Sequence, residues 1–260
     1  MRDAVDEQEE GQSDGRNRVH AMSVASTGAW TLEQNDRRLD FAATPVATMF
    51  AESTGFRVTP HRHPAWKIVL SLGGHVDVGY GPAGLTTGPG VIVPPQVAHS
   101  CAVSSAYVAL LLEPWELAPA DRPVPIDATR TKRILAAAGN PGAGADLAAA
   151  RAEIVGLTGA GAPLEPRVEY AVNAIARDGS ISEIAAEVGL SAPRLRVLVR
   201  GSVGIPLARL RLWARLRGAV AVLPGGPAAV VAVSAGFADQ AHLVRTARGL
   251  LGRTPSELFR

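Results

Sequence analysis

Two groups of residues in this 260-residue chain are of types that do chemistry. The first is rich in imidazole: His61-Arg62-His63, then Lys67, then His99 with Cys101 two residues beyond it. Residues 61, 63 and 67 share parity, so a regular strand carries both imidazoles and the ammonium on one side; Cys101 shares a side with His99 in the same way. The second group is arginine. Residues 167–260 hold 13 basic and 6 acidic side chains, net +7, and every base is an arginine; residues 1–166 hold 13 and 18, net −5. That asymmetry suits a polyanion partner for the C-terminal part, although an ordinary solvated helix face is also basic. Cys101 is the single cysteine, which excludes an intramolecular disulfide and a cysteine-based zinc finger. A small core residue is its simplest reading.

Elements of two kinds must position these groups. Hydrophobic residues make up 47% and charged residues 19%, enough apolar material for two ordinary domains with real cores. Residues 1–20 are polar, acidic and without periodicity, and are expected to be a disordered tail. Short β-type runs over 46–50, 66–72, 75–80, 91–93, 101–103 and 107–112, separated by Gly and Pro, predict a small barrel or jelly roll. The four prolines between Pro114 and Pro125 read as an exit linker. Residues 129–138 and 145–157 then read as two helices joined by the turn Gly139-Asn-Pro-Gly-Ala-Gly144, which is no phosphate loop because no Gly-Lys-Ser/Thr follows it. From Arg167 onward the period is helical throughout. The longest apolar runs, 106–112 and 228–233, fall far short of the ~18 residues of a membrane span. The opening MRDAVDEQEE has no apolar stretch to serve as a secretory signal. A cytoplasmic protein with no membrane partner is expected.

The last 90 residues repeat one design. Around Ile184-Ala-Ala-Glu-Val-Gly-Leu-Ser191, Ile181, Ile184, Ala185 and Val188 make an apolar face, Gly189 supplies the turn and Ser191 caps the next helix, with Pro193 tolerated in its first turn. The second copy has Gly236 as its turn and Asp239 as its N-cap. Between them Leu207, Leu210, Trp213, Leu216, Val220 and Leu223 stripe a long helix that begins near Pro206. Each copy has the form of a helix-turn-helix. With Arg215-Leu-Arg-Gly-Ala219, Ala235-Gly-Phe-Ala-Asp-Gln-Ala-His242 and Gly252-Arg-Thr-Pro-Ser-Glu-Leu-Phe-Arg260, residues 167–260 resemble the AraC/XylS family of bacterial transcription regulators. The resemblance implies two helix-turn-helix units reading successive major-groove segments of double-stranded DNA. By position it turns Pro193, Arg196 and Val197 of the first recognition helix, and Gln240, Ala241, Val244 and Arg245 of the second, towards bases. Arg196 and Arg245 suit bidentate contact with guanine and Gln240 with adenine; Arg194, Arg200 and Arg248 suit phosphates, and His242 positions its neighbours. Val199, Leu243, Ala247 and Leu251 stand where the family has aromatic core residues.

In the N-terminal part, Gly55, His61, His63 and Gly73, followed by Gly90-Val-Ile-Val-Pro-Pro-Gln-Val-Ala-His99, resemble the two cupin motifs. In a metal-binding cupin two histidines, a glutamate four residues on and the second-motif histidine hold a divalent metal. Those positions are His61, His63, Lys67 and His99, so the glutamate has become lysine. Three readings follow. The three imidazoles hold Zn²⁺ or Fe²⁺ with positions left open; or the ammonium opposes a dication and favours an anionic or carbonyl-bearing effector at His61, His63, Lys67 and His99; or the residues line a pocket that binds nothing specific. The lysine weighs against the metal, and no cofactor is required.

The expected fold class is α+β in two domains: a cupin-like β-barrel over 21–125, a helical connector over 126–166 that is a candidate dimerisation element, and an all-α domain over 167–260 with two helix-turn-helix units. The expected function is a sequence-specific DNA-binding transcription regulator, a homodimer, answering to a small-molecule effector and catalysing no reaction. The alternative is a metal-dependent, dioxygenase-like cupin enzyme fused to a DNA-binding module.

Overall fold

The computed structural model describes residues 28–45, 47–142, 144–175 and 179–258; the tail expected over 1–20 lies outside the described residues. In chain order the strands are β1 (Gly28–Gln34), β2 (Arg37–Ala43), β3 (Thr48–Glu52), β4 (Phe56–His61), β5 (Trp66–Ser71), β6 (Val76–Tyr80), β7 (Gly84–Gly88), β8 (Gly90–Val93), β9 (His99–Val103), β10 (Tyr107–Leu112) and β11 (Val124–Ile126). They pair into a seven-stranded sheet, β1-β2-β3-β10-β5-β8-β11, and a four-stranded sheet, β4-β9-β6-β7. The stretch read as an exit linker therefore ends as an edge strand on β8. The remaining elements are helices: α1 (Ala128–Ala138), α2 (Leu147–Thr158), α3 (Pro166–Ala174), α4 (Ile181–Glu187), α5 (Ala192–Val203), α6 (Leu207–Val222), α7 (Ala228–Ser234), α8 (Gln240–Leu251) and α9 (Pro255–Leu258).

Strands β5 and β10 are buried on both faces, which is why they read as unbroken apolar runs. Their parity sorts the side chains. Ile68, Leu70, Val108 and Leu110 point to an outer layer with Ile134 of α1 and Ile154 of α2. Val69, Tyr107, Ala109 and Leu111 point inward, against Val58, Val78, Cys101 and Val103 of the small sheet. Lys67 has the parity of Val69, and its Cα pairs with that of Leu111, so the fold sets an ammonium on the inner face of an otherwise apolar strand.

The helical part divides in an unexpected place. The first helix-turn-helix, α3 to α5 with the start of α6, has its own core of Val168, Ile184, Ala185, Leu195, Val199 and Leu210. The second half of α6, with α7 and α8, instead shares one continuous core with the barrel's inner face, running from Trp213, Leu216 and Val220 to Leu39 and Phe41. Polar contacts run along the same seam: the Trp30 indole N–H donates to the Val220 carbonyl at 3.0 Å, and the buried Arg217 pairs with Glu113 and donates to the Thr44 carbonyl. Burial pushes the Glu113 carboxyl up, and the Arg217 charge pulls against that. Among the described residues no helix is long and apolar enough to cross a membrane.

Candidate functional site

Local sequence explains how the three histidines meet. Strand β4 pairs with β9 so that His61 lies opposite His99, after a register shift between Val58 and His61 that re-aims the end of the strand. His63 follows in the turn before β5, where the Gln96 backbone N–H (2.9 Å) and side-chain amide (3.2 Å) both donate to its carbonyl. Gln96 takes φ 63° to do so. The single regular strand expected over 61–67 is thus a correction: the chain leaves β4 at His61 and re-enters the sheet at Trp66. Lys67 reaches the histidines' side through the parity of β5, not through continuity with them.

All four side chains are buried, with His63 and His99 at 1%, His61 at 5% and Lys67 at 7% exposure. One ring nitrogen of each histidine lies within 4.8 Å of those of the other two. Each Nδ1 faces a backbone carbonyl, of Thr59 at 2.9 Å, Ala65 at 2.7 Å and Val97 at 2.9 Å. A carbonyl only accepts, so these contacts assign the proton to Nδ1 and leave the Nε2 lone pair free. All three Nε2 atoms are buried and have no hydrogen-bond partner among the described residues. Burial, then the Lys67 and His99 charges, hold His61 down to about 2; burial and Lys67 hold His99 down to about 3; His63 lies well below its ordinary value, chiefly through burial. Burial and the neighbouring Arg253 charge likewise lower Lys67, with Cys101 partly opposing them. Cys101 itself is a core residue of β9, its thiol pushed up by burial.

A pH dependence follows for the metal-free chain. Unfolded, the histidines take up protons as pH falls through about 6.5; folded, His61 and His99 resist to about 2 and 3. Their folded values are depressed, so the stability they confer is present above about pH 6.5 and is lost progressively as pH falls towards 3. At pH 5 the loss is about 2 kcal/mol for each of these two histidines. Urea midpoints at pH 7.5 and 5 measure it, and His99→Gln should flatten the difference; an unchanged slope rejects the assignment.

The roof of this site comes from the other end of the chain. Helix α8 ends in the left-handed Gly252, whose backbone packs on His61: a Cβ there would stand 2.6 Å from His61 Nδ1. Thr59 Oγ1 donates to the Gly252 carbonyl at 3.2 Å and the Arg62 N–H to the Gly249 carbonyl at 3.3 Å. Arg253 then enters the barrel, where it pairs with Glu52, donates to the Tyr107 hydroxyl and lies over the Phe56 ring at 4.8 Å. Tyr107 in turn donates to Glu52, which Arg37 also holds. Burial alone would raise Glu52 and lower Arg253; their mutual attraction, with Tyr107, reverses both and keeps both charged. Phe50, Phe56, His61, Lys67, Leu251 and Arg253 are among the residues enclosing a cavity of about 40 Å³. Leu251, expected in the helical core, is thus part of the pocket. Sequence reading missed Glu52, Tyr107 and Arg253, although an Arg beside the helix-ending Gly252 was visible as part of a motif.

The DNA-facing candidates lie elsewhere. Ser191 caps α5 by accepting from the Arg194 N–H, and Asp239 caps α8 by accepting from the His242 N–H, as their types predict. Gly189 and Gly236 take φ 68° and 77° in the two turns. Arg194, Arg196, Arg200, Gln240, Arg245 and Arg248 are all exposed. None of the five arginines has an ion-pair partner among the described residues, whereas Arg37, Arg151, Arg217 and Arg253 on the barrel side are all paired. His242 packs edge-on against Phe237 and accepts from the Ala238 N–H at 3.4 Å, so it braces the turn. The two recognition helices are not brought to the histidine site, except through the C-terminal end of α8.

A helix-turn-helix domain family model matches residues 184–260. Two solved structures of ToxT from Vibrio cholerae share the fold. An apo variant is 13% identical with a TM-score of 0.52, covering 84% of this chain and 97% of that one. The P21 crystal form is 10% identical with a TM-score of 0.53, covering 82% and 97%. No curated relative matches the chain.

Proposed function

We propose that this chain, whose C-terminal part is an AraC-type helix-turn-helix domain behind a cupin-like barrel, is a transcription regulator that reads DNA with α5 and α8 and adjusts α8 to what occupies the barrel. The observation that carries the reading is the division of labour among arginines. Those on the two recognition helices are exposed and unspent, while at the barrel seam the buried Arg217 and the half-buried Arg253 are paired with Glu113 and Glu52. Arg196 and Arg245 are the guanine readers and Gln240 reads adenine; Arg194, Arg200 and Arg248, together with the capped helix N-termini, hold phosphates. Pro193, Val197 and Val244 offer only apolar contact.

The barrel supplies the control. A cavity of about 40 Å³ admits water or an ion, whereas drug-sized ligands occupy about 300 Å³ or more. An organic effector whose anionic or carbonyl group meets Lys67 therefore fits only by lifting Leu251 and Arg253, and with them the end of α8. The same lack of room makes a catalytic barrel with an appended DNA-binding module the weaker reading. The regulator acts as a homodimer in the cytoplasm, on double-stranded DNA.

Selection of bound sequences from a random pool, followed by affinity measurement, tests the assignment. Arg196→Ala and Arg245→Ala should each cost about 1–3 kcal/mol on the preferred site and relax base choice at one position. Arg200→Ala should weaken all sequences alike. Identical preferred bases for the parent chain and Arg245→Ala would overturn the base-reading role.

A further inference from the structure

We infer that Lys67 is a carbamylation site: its amine adds carbon dioxide in the cavity beneath the end of α8, and the carbamate so formed pairs with Arg253. This goes beyond the reading above, in which an organic effector meets Lys67. Only Lys67 and Lys132 of the 26 basic residues are lysines. Lys132 is exposed, whereas Lys67 is buried on the inner face of β5. An arginine there would stay charged; a lysine is able to give up its proton and become a nucleophile. Among the described residues Lys67 has no hydrogen bond or ion pair, and its Nζ lies 5.9 Å from the centre of the Phe56 ring. The nearby carboxylate, Glu52, is already held by Arg253, Arg37 and the Tyr107 hydroxyl. A desolvated lysine beside a second cation, here Arg253, is the setting in which an amine turns neutral and reactive.

Size and charge choose the reagent. Lys67, His61, His63 and Arg253 are among the residues lining the cavity of about 40 Å³. One water takes about 10–15 Å³ on that scale, so the space holds about three non-hydrogen atoms, the size of carbon dioxide, with the roof in place. Charge separates carbon dioxide from an aldehyde of the same size, whose imine offers Arg253 no anion. In the step, the Nζ lone pair forms an N–C bond to the carbon of carbon dioxide. One C=O π bond breaks and its electron pair goes to oxygen. The amine proton passes to a free Nε2 of His61 or His63 and on to water, and nothing is oxidised or reduced. Repulsion between ammonium and guanidinium is thereby replaced by attraction between carbamate and Arg253. Arg253 follows the end of α8, so by linkage whatever Arg253 gives the carbamate, the carbamate gives the docking of residues 250–254. Carbon dioxide tightens the roof that a larger effector lifts.

Carbon-13 NMR of the full-length chain in labelled bicarbonate buffer at a fixed pH tests the site. A carbamate resonance, distinct from those of dissolved carbon dioxide and bicarbonate, should disappear in Lys67→Met and remain in Lys132→Arg; a carbamate on the α-amino group responds to neither. Alkylation of the folded parent chain with triethyloxonium, followed by mass spectrometry, should place the trapped carbamate on the peptide carrying Lys67, a result that no folding defect of a variant affects. Arg253→Gln, which keeps the amine, should raise the carbon dioxide needed for half-occupancy by about tenfold. Amide exchange at 250–254 should slow when carbon dioxide is added to the parent chain and show no response in Lys67→Met. A spectrum that Lys67→Met leaves unchanged, or no trapped adduct at Lys67, overturns the site. Exchange slowed equally by chloride, with no carbamate resonance, makes the pocket an ordinary anion site and overturns the covalent step. Occupancy unchanged in Arg253→Gln overturns the pairing. None of these results touches the DNA-binding assignment, which the base-selection experiment reads independently.

Discussion

Raising the salt from about 50 to 200 mM lowers the affinity of the full-length chain for duplex DNA by between a hundredfold and a thousandfold. The size follows from the number of cations free to meet phosphate. Arg194, Arg196, Arg200, Arg245 and Arg248 are exposed and unpaired, and the capped starts of α5 and α8 add backbone N–H groups. Each neutralised phosphate contributes a slope of about −0.9 to the plot of log affinity against log salt, so Arg200→Ala and Arg248→Ala should each flatten it by about that amount. The full chain is the right object for this measurement. A fragment starting at residue 167 would strip Trp213, Leu216 and Val220 of the barrel surface they share a core with. A salt-independent affinity would remove the electrostatic argument.

Replacing Glu52 by alanine costs about 3–5 kcal/mol, the range for breaking a buried ion pair from one side. Glu52 is 3% exposed and is held by Arg253, Arg37 and the Tyr107 hydroxyl, so its removal leaves the Arg253 guanidinium in the barrel with an uncompensated charge. Arg253 has an escape that most buried charges lack: it sits just past the end of α8 and is able to leave with it. The loss should therefore appear in two measurements, a lower urea midpoint and faster amide exchange at residues 250–254. Combining Glu52→Gln with Arg253→Met removes both charges and should recover part of the stability, a coupling that a double-mutant cycle extracts. Unchanged exchange at 250–254 in Glu52→Ala would mean that the ion pair does not hold the roof down.

Much of this fold was legible in the residues, for physical reasons that also explain the omissions. Strands β5 and β10 declared themselves because both of their faces are covered. The hairpin β1–β2 did not, because β1 is half exposed and β2 carries Arg37, Arg38 and Asp40, whose burial depends on pairing such as Arg38 with Asp40. Its turn was the readable signal: Asn35 and Asp36 both take positive φ, 52° and 58°, as a two-residue hairpin requires. Strand β4 was hidden by Pro60 within it, and β7 by its flanking glycines. The helix caps at Ser191 and Asp239 were legible because capping is local chemistry. The site was half legible. His61, His63, Lys67 and His99 lie close in sequence and share an inward face, whereas Tyr107 and Arg253, 146 residues apart, meet only when the chain closes on itself.

The uneven anchoring of the two helix-turn-helix units has a consequence for recombination between regulators of this architecture. The first unit, with its own core of Val168, Ile184, Leu195 and Val199, is a transferable cassette joined to the remainder mainly through α6. The second is not, because the second half of α6 packs on β1 and β2, where the Trp30 indole donates to the Val220 carbonyl, and α8 packs on β4. A chimera cut at the apparent boundary near residue 166, pairing this sensor with a foreign DNA-binding half, inherits a seam whose two sides were shaped by different histories. A chimera that exchanges only α3 to α5 alters which DNA segment the first unit reads and leaves the sensing seam whole.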